Sequence, residues 1–374
     1  MTSLYLHIPF CTSKCRYCSF ASVAGHDHLH ARYCRAVLRE IETTPATVRR
    51  PLSTLFIGGG TPSVLDDALL YQILTACAEV FGFDRDAEIT LETNPESLIC
   101  RDIEGLQQRG VNRLSIGVQS FNDTELAVLG RAHDARQAIR AVQAAHRAGI
   151  DTVSLDLMYG LPGQTTASWH ATLSQAIEYS PQHLSIYQLS IEDPTPFFKQ
   201  HRQGRLELPD EDQVLAMDEI TATCCASAGF ERYELSNYRR PNCGCRHNLV
   251  YWRNEEYLGC GAAAVSYLAG ERCGRVADPL TYCLLVEAGA SPVSFREHLD
   301  PQATFRETVV MGLRLIDGIS EHRLYRRFGC GLHDIYGDVL NTLVADDLLE
   351  HDGGQWRLTG RGRQLANVVM RELV

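Results

Sequence analysis

The chain has 374 residues, of which 45% are hydrophobic and 22% charged, an ordinary mixture for a globular protein with one large domain and a smaller one. Its formal net charge of −11 argues against a general nucleic-acid role, because phosphate binding needs clustered cations. No apolar run approaches the roughly 20 residues of a membrane helix. The first residues also lack the basic and apolar regions of a secretory signal. These features predict a cytoplasmic protein that is not integral to a membrane.

Fourteen cysteines are a high number for a chain of this length. Disulfide-rich proteins are mostly small and secreted, so without an export signal we expect reduced thiols. Most of these cysteines, such as Cys77, Cys100 and Cys283, lie within apolar helical patterns. A thiol in such a place usually behaves as a small buried hydrophobic group. Only cysteines that are clustered in the sequence therefore suggest a functional site.

Strand and helix patterns alternate up to about residue 190. Short β-branched or apolar runs predict strands at residues 4–8, 54–57, 88–92, 113–117, 152–157 and 183–188. Apolar residues at helical spacing predict helices at residues 31–41, 68–81, 103–108, 137–148 and 168–179. This alternation is typical of parallel β-α-β units, and six strands fit either a doubly wound sheet or an incomplete barrel. In both folds, ligands bind at the C-terminal ends of the strands.

Two further regions follow the alternating domain, to which we assign residues 1–200. Residues 201–295 form an extension with a predicted helix at 211–228 and a series of strands and turns at 230–270. Residues 296–374 form a C-terminal domain. Its pattern predicts helices at 305–315, 321–328 and 332–346, a hairpin at 351–358 and a final helix after Thr359. Helices followed by a hairpin predict a small winged-helix-like α+β domain.

Cys11, Cys15 and Cys18 directly follow the first predicted strand. Thiolates are the usual ligands of iron–sulfur clusters, and three of them would bind three irons of a 4Fe-4S cluster and leave the fourth iron open. A structural zinc ion prefers four ligands, so a zinc site here would need a ligand from elsewhere. The loop lies where both candidate folds place their binding site. The spacing therefore favours an iron–sulfur cluster.

The pattern C-x-x-x-C-x-x-C after a first strand resembles the radical S-adenosylmethionine superfamily. Four further motifs share the order found in one branch of that superfamily: Ile57-Gly-Gly-Gly-Thr-Pro62, Leu91-Glu-Thr-Asn-Pro-Glu96, Ser115-Ile-Gly-Val-Gln-Ser-Phe-Asn122 and Asp156-Leu-Met-Tyr-Gly-Leu-Pro-Gly-Gln-Thr165. This branch contains the oxygen-independent coproporphyrinogen III oxidase (HemN) and the heme chaperone HemW. The resemblance covers nearly the whole chain and implies an incomplete (β/α)6 TIM-like parallel barrel.

The resemblance also implies the cofactors. In this superfamily the open iron binds the amino and carboxylate groups of S-adenosylmethionine. An electron from the reduced cluster then breaks a sulfonium S–C bond and gives a 5′-deoxyadenosyl radical. By resemblance, the contacts with S-adenosylmethionine are Tyr5, Tyr17, Gly59, Gly60, Thr61, Glu92, Gln119, Arg131 and Asp156. Three of these, Gln119, Arg131 and Asp156, match positions near a second S-adenosylmethionine in HemN, and Arg131 is equally compatible with a surface salt bridge.

Three features point toward HemW rather than HemN. HemN has a fourth cysteine two residues after the third, where this chain has Phe20, and a longer segment before the cluster loop, where this chain has ten residues. The motif H-N-x-x-Y-W, from His247 to Trp252, is typical of HemW. It makes His247 a candidate heme ligand, with Tyr251 and Trp252 as apolar surface for a porphyrin. The alternative is that His247 is a hydrogen-bonded structural residue and Trp252 part of the core.

The extension departs from the resemblance at one position. Relatives often have a histidine where this chain has Val265, so a heme site here would use another ligand or bind more weakly. Cys243 and Cys245 precede the motif, but C-x-C is not the C-x-x-C-H pattern of heme attachment. We expect no role for these two cysteines.

The resemblance therefore predicts a heme chaperone of the HemW type. Its expected partners are S-adenosylmethionine, heme and an acceptor hemoprotein of the respiratory kind, with no nucleic acid. One alternative is oxygen-independent coproporphyrinogen III oxidase, which converts two propionates to vinyl groups. A second alternative is a HemN-like radical S-adenosylmethionine methyltransferase, which also lacks the fourth cysteine.

Overall fold

The computed structural model describes residues 2–374, and all six predicted barrel strands are present in it. They are β1 (Thr2–Ile8), β2 (Leu52–Gly59), β3 (Phe83–Thr93), β4 (Arg113–Gln119), β5 (Thr152–Tyr159) and β6 (His183–Gln188). All five neighbouring pairs are parallel. Observed strands extend by up to five residues beyond the predicted ones, because the sequence pattern detects only their buried, apolar centres.

The order of the strands decides between the two candidate folds. A doubly wound sheet reverses its strand order at a switch point. Here β1 to β6 are neighbours in chain order without reversal, as in a barrel. The strand Leu258–Cys260 adds in parallel to the open edge of β1, and Asn237–Arg239 adds antiparallel to β6. These two outer strands do not pair with each other, so the barrel is incomplete.

Helices between the strands agree with the predicted ones to within two residues at either end. They are His30–Glu42, Asp67–Val80, Ile103–Gln108, Ala135–Arg147 and Thr166–Glu178. Local capping explains why two of them begin where they do, since Asp134 and Gln137 form a capping box, as do Thr165 and Ser168. Further short helices were not predicted: Pro95–Leu98, Asp123–Leu129, Pro196–Arg202 and Arg246–Trp252.

The extension is part of the barrel domain rather than a unit of its own. Its helix Glu211–Ser227 packs against the barrel helix Thr166–Glu178. Its buried side chains Tyr238, Leu258 and Tyr282 belong to the same hydrophobic core as the barrel strands. The extension also contains the helix Pro279–Glu287 and a three-stranded sheet of Val265–Leu268, Glu271–Arg275 and Val293–His298. The predicted boundary at residue 296 falls within the last of these strands, which ends at His298.

The C-terminal domain has a hydrophobic core of its own. Its helices are Pro301–Gly312, Glu321–Phe328, Leu332–Tyr336, Asp338–Ala345, Gly360–Gln364 and Ala366–Glu372. Its sheet is formed by Ile319–Ser320, Leu349–Asp352 and Gln355–Leu358. The helix predicted over residues 332–346 is divided in two, because Gly337 has a φ of +48°. Among residues 2–374, no helix is long and apolar enough to cross a membrane.

Leu340 tests the separate core of the C-terminal domain, because its side chain is fully buried there. Replacing Leu340 with Ala should lower the free energy of unfolding of this domain by about 3 kcal/mol, from lost burial and the cavity left behind. The measurement is urea unfolding followed by the fluorescence of Trp356, which lies in the same core. Val339→Ala, at the exposed neighbouring position, is the control. Equal effects of the two substitutions would contradict the core assignment.

Candidate functional site

A cavity of about 370 Å³ opens at the C-terminal ends of the barrel strands. The cysteine loop (residues 9–22) leaves β1 and forms one wall. Of the predicted site residues, twelve were named besides His247, and eleven of them line this cavity: Cys11, Cys15, Tyr17, Cys18, Gly59, Gly60, Thr61, Glu92, Gln119, Arg131 and Asp156. Because parallel strands all end at the same edge, residues from the ends of the four strands β2 to β5 meet the cysteine loop and Arg131 at a single place.

The three cysteine thiols of the loop lie at this cavity and are all partly exposed. Burial raises the pKa of the Cys11 and Cys18 thiols, so their thiolates need a positively charged partner. The Arg131 guanidinium lies 3.4 Å from the Cys15 sulfur. Lys14 holds the loop in shape, since its ammonium group donates to the carbonyl oxygens of Phe20 and Ser22. Among residues 2–374, no three Cys, His, Asp or Glu side chains converge closely enough to hold one metal ion.

In the glycine turn after β2, backbone without side chains packs directly against the cysteine loop. A Cβ atom on Gly60 would lie 2.5 Å from the carbonyl oxygen of Phe10 and 2.9 Å from the Cys11 sulfur. Gly59 has a φ of +116°, which side chains rarely allow, and its N–H donates to a carboxylate oxygen of Glu92 at 3.0 Å. This turn needs glycine for both reasons, and it leaves room for a ligand to approach the backbone.

Two carboxyl groups lie deep in the cavity at the ends of β3 and β5. Shielding from water raises the pKa of Glu92 to about 8, with a further contribution from the nearby Asp156 carboxylate. The pKa of Asp156 is raised to about 6, again mainly by burial. The Ser115 hydroxyl stands 2.9 and 3.1 Å from the two carboxylate oxygens of Asp156. A positively charged ligand would favour the ionised form of both groups.

Gln119 and Arg131 each have a buried polar atom without a hydrogen-bond partner among residues 2–374. Gln119 ends β4 with a φ of +67°, an uncommon conformation outside glycine that often marks functional sites. Its Oε1 atom is buried and accepts no hydrogen bond from the described residues. Arg131 donates to Asn94 and to the carbonyl oxygen of Gly117, both at 2.6 Å, while its Nε–H is left unpaired within residues 2–374. Arg131 is thus part of the cavity wall rather than a surface salt-bridge residue.

Tyr5 is the predicted site residue that the structure does not place on the cavity wall. Its ring stacks on Phe56 inside the barrel, with ring centroids 6.1 Å apart. Its hydroxyl donates to Nδ1 of His7, whose Nε2–H donates to the carbonyl oxygen of Ala21 in the cysteine loop. The expected contact of Tyr5 with S-adenosylmethionine stays a prediction. Tyr5 supports His7, and His7 holds the loop.

Sequence reasoning missed several residues of the wall. Asn94 joins the glycine turn to Arg131, because it donates to the Thr61 hydroxyl at 2.9 Å and accepts from Arg131. Tyr187 and Gln188 line the cavity from the end of β6. The rule that ligands meet strand ends identified residues on β3, β4 and β5. Applied to β6, it would have found Tyr187 and Gln188 as well.

The H-N-x-x-Y-W motif forms the helix Arg246–Trp252, which we call the motif helix. Its N-terminus enters the barrel, where the buried Glu88 carboxylate accepts the backbone N–H groups of Arg246 and His247 at 2.9 and 3.0 Å. Cys245, for which no role was expected, also places its thiol 3.6 Å from Glu88. A carboxylate at a helix N-terminus satisfies free N–H groups and complements the helix dipole. The motif helix is thereby fixed to β3.

His247 is fully buried beneath this cap. Its Nδ1 lies 2.8 Å from the Thr54 hydroxyl, and its Nε2 lies 2.9 Å from the Tyr251 hydroxyl. Burial lowers the pKa of His247 to about 3, so the ring is neutral, with one nitrogen donating and the other accepting. Neither nitrogen is free for iron in this arrangement. The geometry favours the structural role of His247 over heme ligation.

Comparison with known proteins agrees with this geometry. The radical SAM superfamily matches residues 5–176, and the HemN C-terminal domain matches residues 299–365. The heme chaperone HemW of Bacillus subtilis is 34% identical over 371 residues, covering 99% of this chain and 98% of that protein. HemW of Escherichia coli is 34% identical over 378 residues, covering 98% of this chain and 97% of that protein. This chain belongs to the HemW family of radical SAM proteins.

Membership of the HemW family is accompanied by a close structural likeness to HemN. The solved coproporphyrinogen III oxidase HemN of Escherichia coli has a TM-score of 0.86 and 25% identity, covering all of this chain and 89% of that one. The incomplete radical SAM barrel with a small C-terminal domain is thus confirmed. The HemN C-terminal domain begins at residue 299, directly after the strand that ends at His298. This chain and HemN therefore share one fold.

The buried state of His247 gives a prediction for stability against pH. Its folded-state pKa lies below the unfolded value of 6.5, so the unfolded chain binds the extra proton. Stability from this residue is complete above pH 6.5 and decreases as the pH falls toward 3. Between pH 7 and 5 the loss should be about 2 kcal/mol.

His247→Gln keeps a donor and an acceptor but cannot titrate. Its free energy of unfolding should therefore fall by about 2 kcal/mol less than that of the wild type between pH 7 and 5. Urea unfolding at the two pH values measures this difference. His170→Gln, which replaces an exposed histidine, is the control. If stability fell equally with pH in wild type and His247→Gln, the pKa of His247 would not be lowered in the folded protein, which would contradict the prediction.

Proposed function

We propose that this chain is a heme chaperone of the HemW type, which binds a 4Fe-4S cluster, S-adenosylmethionine and heme and delivers heme to an acceptor hemoprotein. The observation that carries the proposal is the similarity over almost the full length to proteins described as heme chaperones. The proposal includes a cytoplasmic location. The fourteen free thiols support that location, because disulfides form in oxidising compartments.

The cavity residues fit a 4Fe-4S cluster at Cys11, Cys15 and Cys18. Three thiols that share a cavity without converging on one point suit a cluster, in which each sulfur binds a different iron. Gly60 supports the fit, because the space where its Cβ would lie borders the Cys11 sulfur. Arg131 offers positive charge to Cys15. Cys11, Cys15 and Cys18 would hold the cluster, and its open iron would be available to bind S-adenosylmethionine.

The remaining wall fits S-adenosylmethionine, a ligand with a positive sulfonium, an amino group and a carboxylate. Glu92 and Asp156 offer carboxylates to its positive groups, and Arg131 offers a guanidinium to its carboxylate. The unpaired Oε1 of Gln119 offers one further acceptor. When bound, the cluster supplies the electron for cleavage of the sulfonium S–C bond. The protein orients the ligand and excludes water from the cavity.

Two alternatives remain distinct from the chaperone proposal. HemN is an oxidase of the same fold, but this chain has Phe20, with 69% of its surface exposed, where HemN has its fourth cysteine. A radical S-adenosylmethionine methyltransferase would also lack that cysteine. The fold does not separate these activities, because the same cavity serves all of them. Full-length similarity to heme chaperones supports the chaperone proposal over the two alternatives.

Replacing Cys11, Cys15 and Cys18 together with Ala should abolish the visible absorption of the reconstituted cluster, because the three thiolates are its protein ligands. Iron and sulfide content after anaerobic reconstitution measures this. A triple variant at Cys100, Cys224 and Cys330, which do not line the cavity, is the control and should keep the cluster. Full iron and sulfide in the first variant would place the cluster elsewhere.

The same reconstituted wild-type protein tests the chaperone function. We expect saturable heme binding, seen in the Soret band, and transfer of that heme to an apo-hemoprotein. With S-adenosylmethionine and a reductant, it should not convert coproporphyrinogen III to protoporphyrinogen IX. Decarboxylation would restore the oxidase alternative. Methyl transfer from S-adenosylmethionine without heme binding would favour the methyltransferase.

The raised pKa of Glu92 predicts how S-adenosylmethionine binding depends on pH. At pH 7 the empty site holds Glu92 mainly protonated, because its pKa is about 8. A ligand that needs the ionised carboxylate must displace this proton, so affinity should rise about tenfold between pH 7 and 9. Glu92→Gln should remove this part of the dependence, and Glu79→Gln, at an exposed position, should not. Calorimetric titration measures the affinity for S-adenosylmethionine at both pH values. An equal rise in affinity for Glu92→Gln and wild type would exclude Glu92 as a contact.

A further inference from the structure

A second cleft of about 630 Å³ lies between the end of the motif helix and the C-terminal domain. None of the residues that line it belongs to the cysteine loop. We call it the arginine cleft. On one side it is lined by Trp252 and Arg253, and on the other by residues of the helices Pro301–Gly312 and Glu321–Phe328 and of the turn between them. Its volume is within the range of sites for small molecules. None of the motifs at the cysteine loop extends to it.

The arginine cleft is positively charged in a chain that is negative overall. Four arginines and two glutamates line it, a formal charge of +2, against −11 for the chain. Arg253 and Arg326 are exposed, and their guanidinium groups form no hydrogen bond or salt bridge with the residues that the structure describes. Arg323 makes one long ion pair, 3.8 Å from Glu255, at the surface. Several guanidinium groups are thus available to an anionic ligand.

The inner part of the cleft is apolar. Trp252, Leu315, Ile319 and Leu324 line it. The Arg314 guanidinium lies 4.4 Å from the centre of the Trp252 ring and fixes the indole in place. The indole Nε1–H is buried and finds no acceptor within residues 2–374. A buried donor without a partner is costly, and a ligand oxygen would satisfy it.

We propose that the arginine cleft binds heme by its propionates and the face of its ring. A flat apolar ring with two carboxylates is complementary to an apolar interior with free guanidinium groups at its entrance. The proposal rests on the proposed chaperone function, which supplies heme as the ligand. It gives that function a place at Arg253 and Arg326, at the opposite end of the motif helix from His247.

The lining of the cleft adds a specific consequence for the iron. It contains no histidine, cysteine, methionine or tyrosine. Heme held here therefore receives no strong axial ligand from the cleft. Release to an acceptor then requires ion pairs to separate but no iron–protein bond to break. The iron contributes little to affinity, so metal-free protoporphyrin IX should bind about as tightly as heme.

The test compares heme and metal-free protoporphyrin IX on the full-length protein. Wild type should bind both saturably, with dissociation constants within about threefold of each other. Arg253→Ala/Arg326→Ala should weaken both about tenfold, because two charge-assisted contacts are lost. Arg253→Lys/Arg326→Lys should retain most of the affinity. Arg136→Ala/Arg140→Ala removes two exposed arginines from the barrel helix Ala135–Arg147 and is the matched control.

Each other outcome contradicts a separate statement. Saturable heme binding that Arg253→Ala/Arg326→Ala leaves unchanged would place heme elsewhere, while the chaperone function stands. Heme binding more than tenfold tighter than that of protoporphyrin IX would show that an iron ligand dominates and would overturn the capture by propionates. The absence of saturable binding of either compound would contradict the proposed function itself. Because the porphyrin comparison uses wild type, it does not depend on the folding of any variant.

Discussion

Charged and polar groups buried inside the barrel must find hydrogen-bond partners, and this constraint determines how the extension folds. Glu88 on β3 is buried and close to Arg113, whose guanidinium lies 3.9 Å away and also donates to the carbonyl oxygen of Cys243. The remaining lone pairs of Glu88 accept the N–H groups at the start of the motif helix. Without that helix, a buried carboxylate would lose its donors. The barrel and the extension are for this reason one domain with one core.

The same interior links the motif helix to the cysteine loop. His247 packs on Phe56 with ring centroids 5.2 Å apart, and Phe56 stacks on Tyr5. Tyr5 donates to His7, and His7 donates to the loop carbonyl at Ala21. These contacts form a continuous series of packed side chains between the cysteine loop and the motif helix. In this structure the H-N-x-x-Y-W motif stabilises the barrel interior rather than presenting its histidine to a ligand.

The two candidate ligand sites differ in how far they shield their charged groups from water. In the barrel cavity, shielding from water raises the pKa values of Glu92 and Asp156. Such an environment strengthens electrostatic contacts with a small charged cofactor and protects reactive intermediates. The arginine cleft is more open and keeps its charges in water, which suits a cargo that must leave again. Separate places for cofactor and cargo allow each to be bound with the strength that its role requires.

The sequence by itself determined the parallel strands and the cavity at their ends, whereas the residue pattern alone fitted both a doubly wound sheet and a barrel. Local periodicity marks the strands, parallel strands share one edge, and strand-end residues such as Glu92, Gln119 and Asp156 therefore meet wherever the barrel closes. Contacts between distant segments were decided only by the tertiary structure. No local pattern predicts that Glu88 caps a helix that begins almost 160 residues later, that Tyr5 lies below the cavity, or that both nitrogens of His247 are occupied. Such pairings depend on where the extension docks, and docking is a property of the whole core rather than of any one motif.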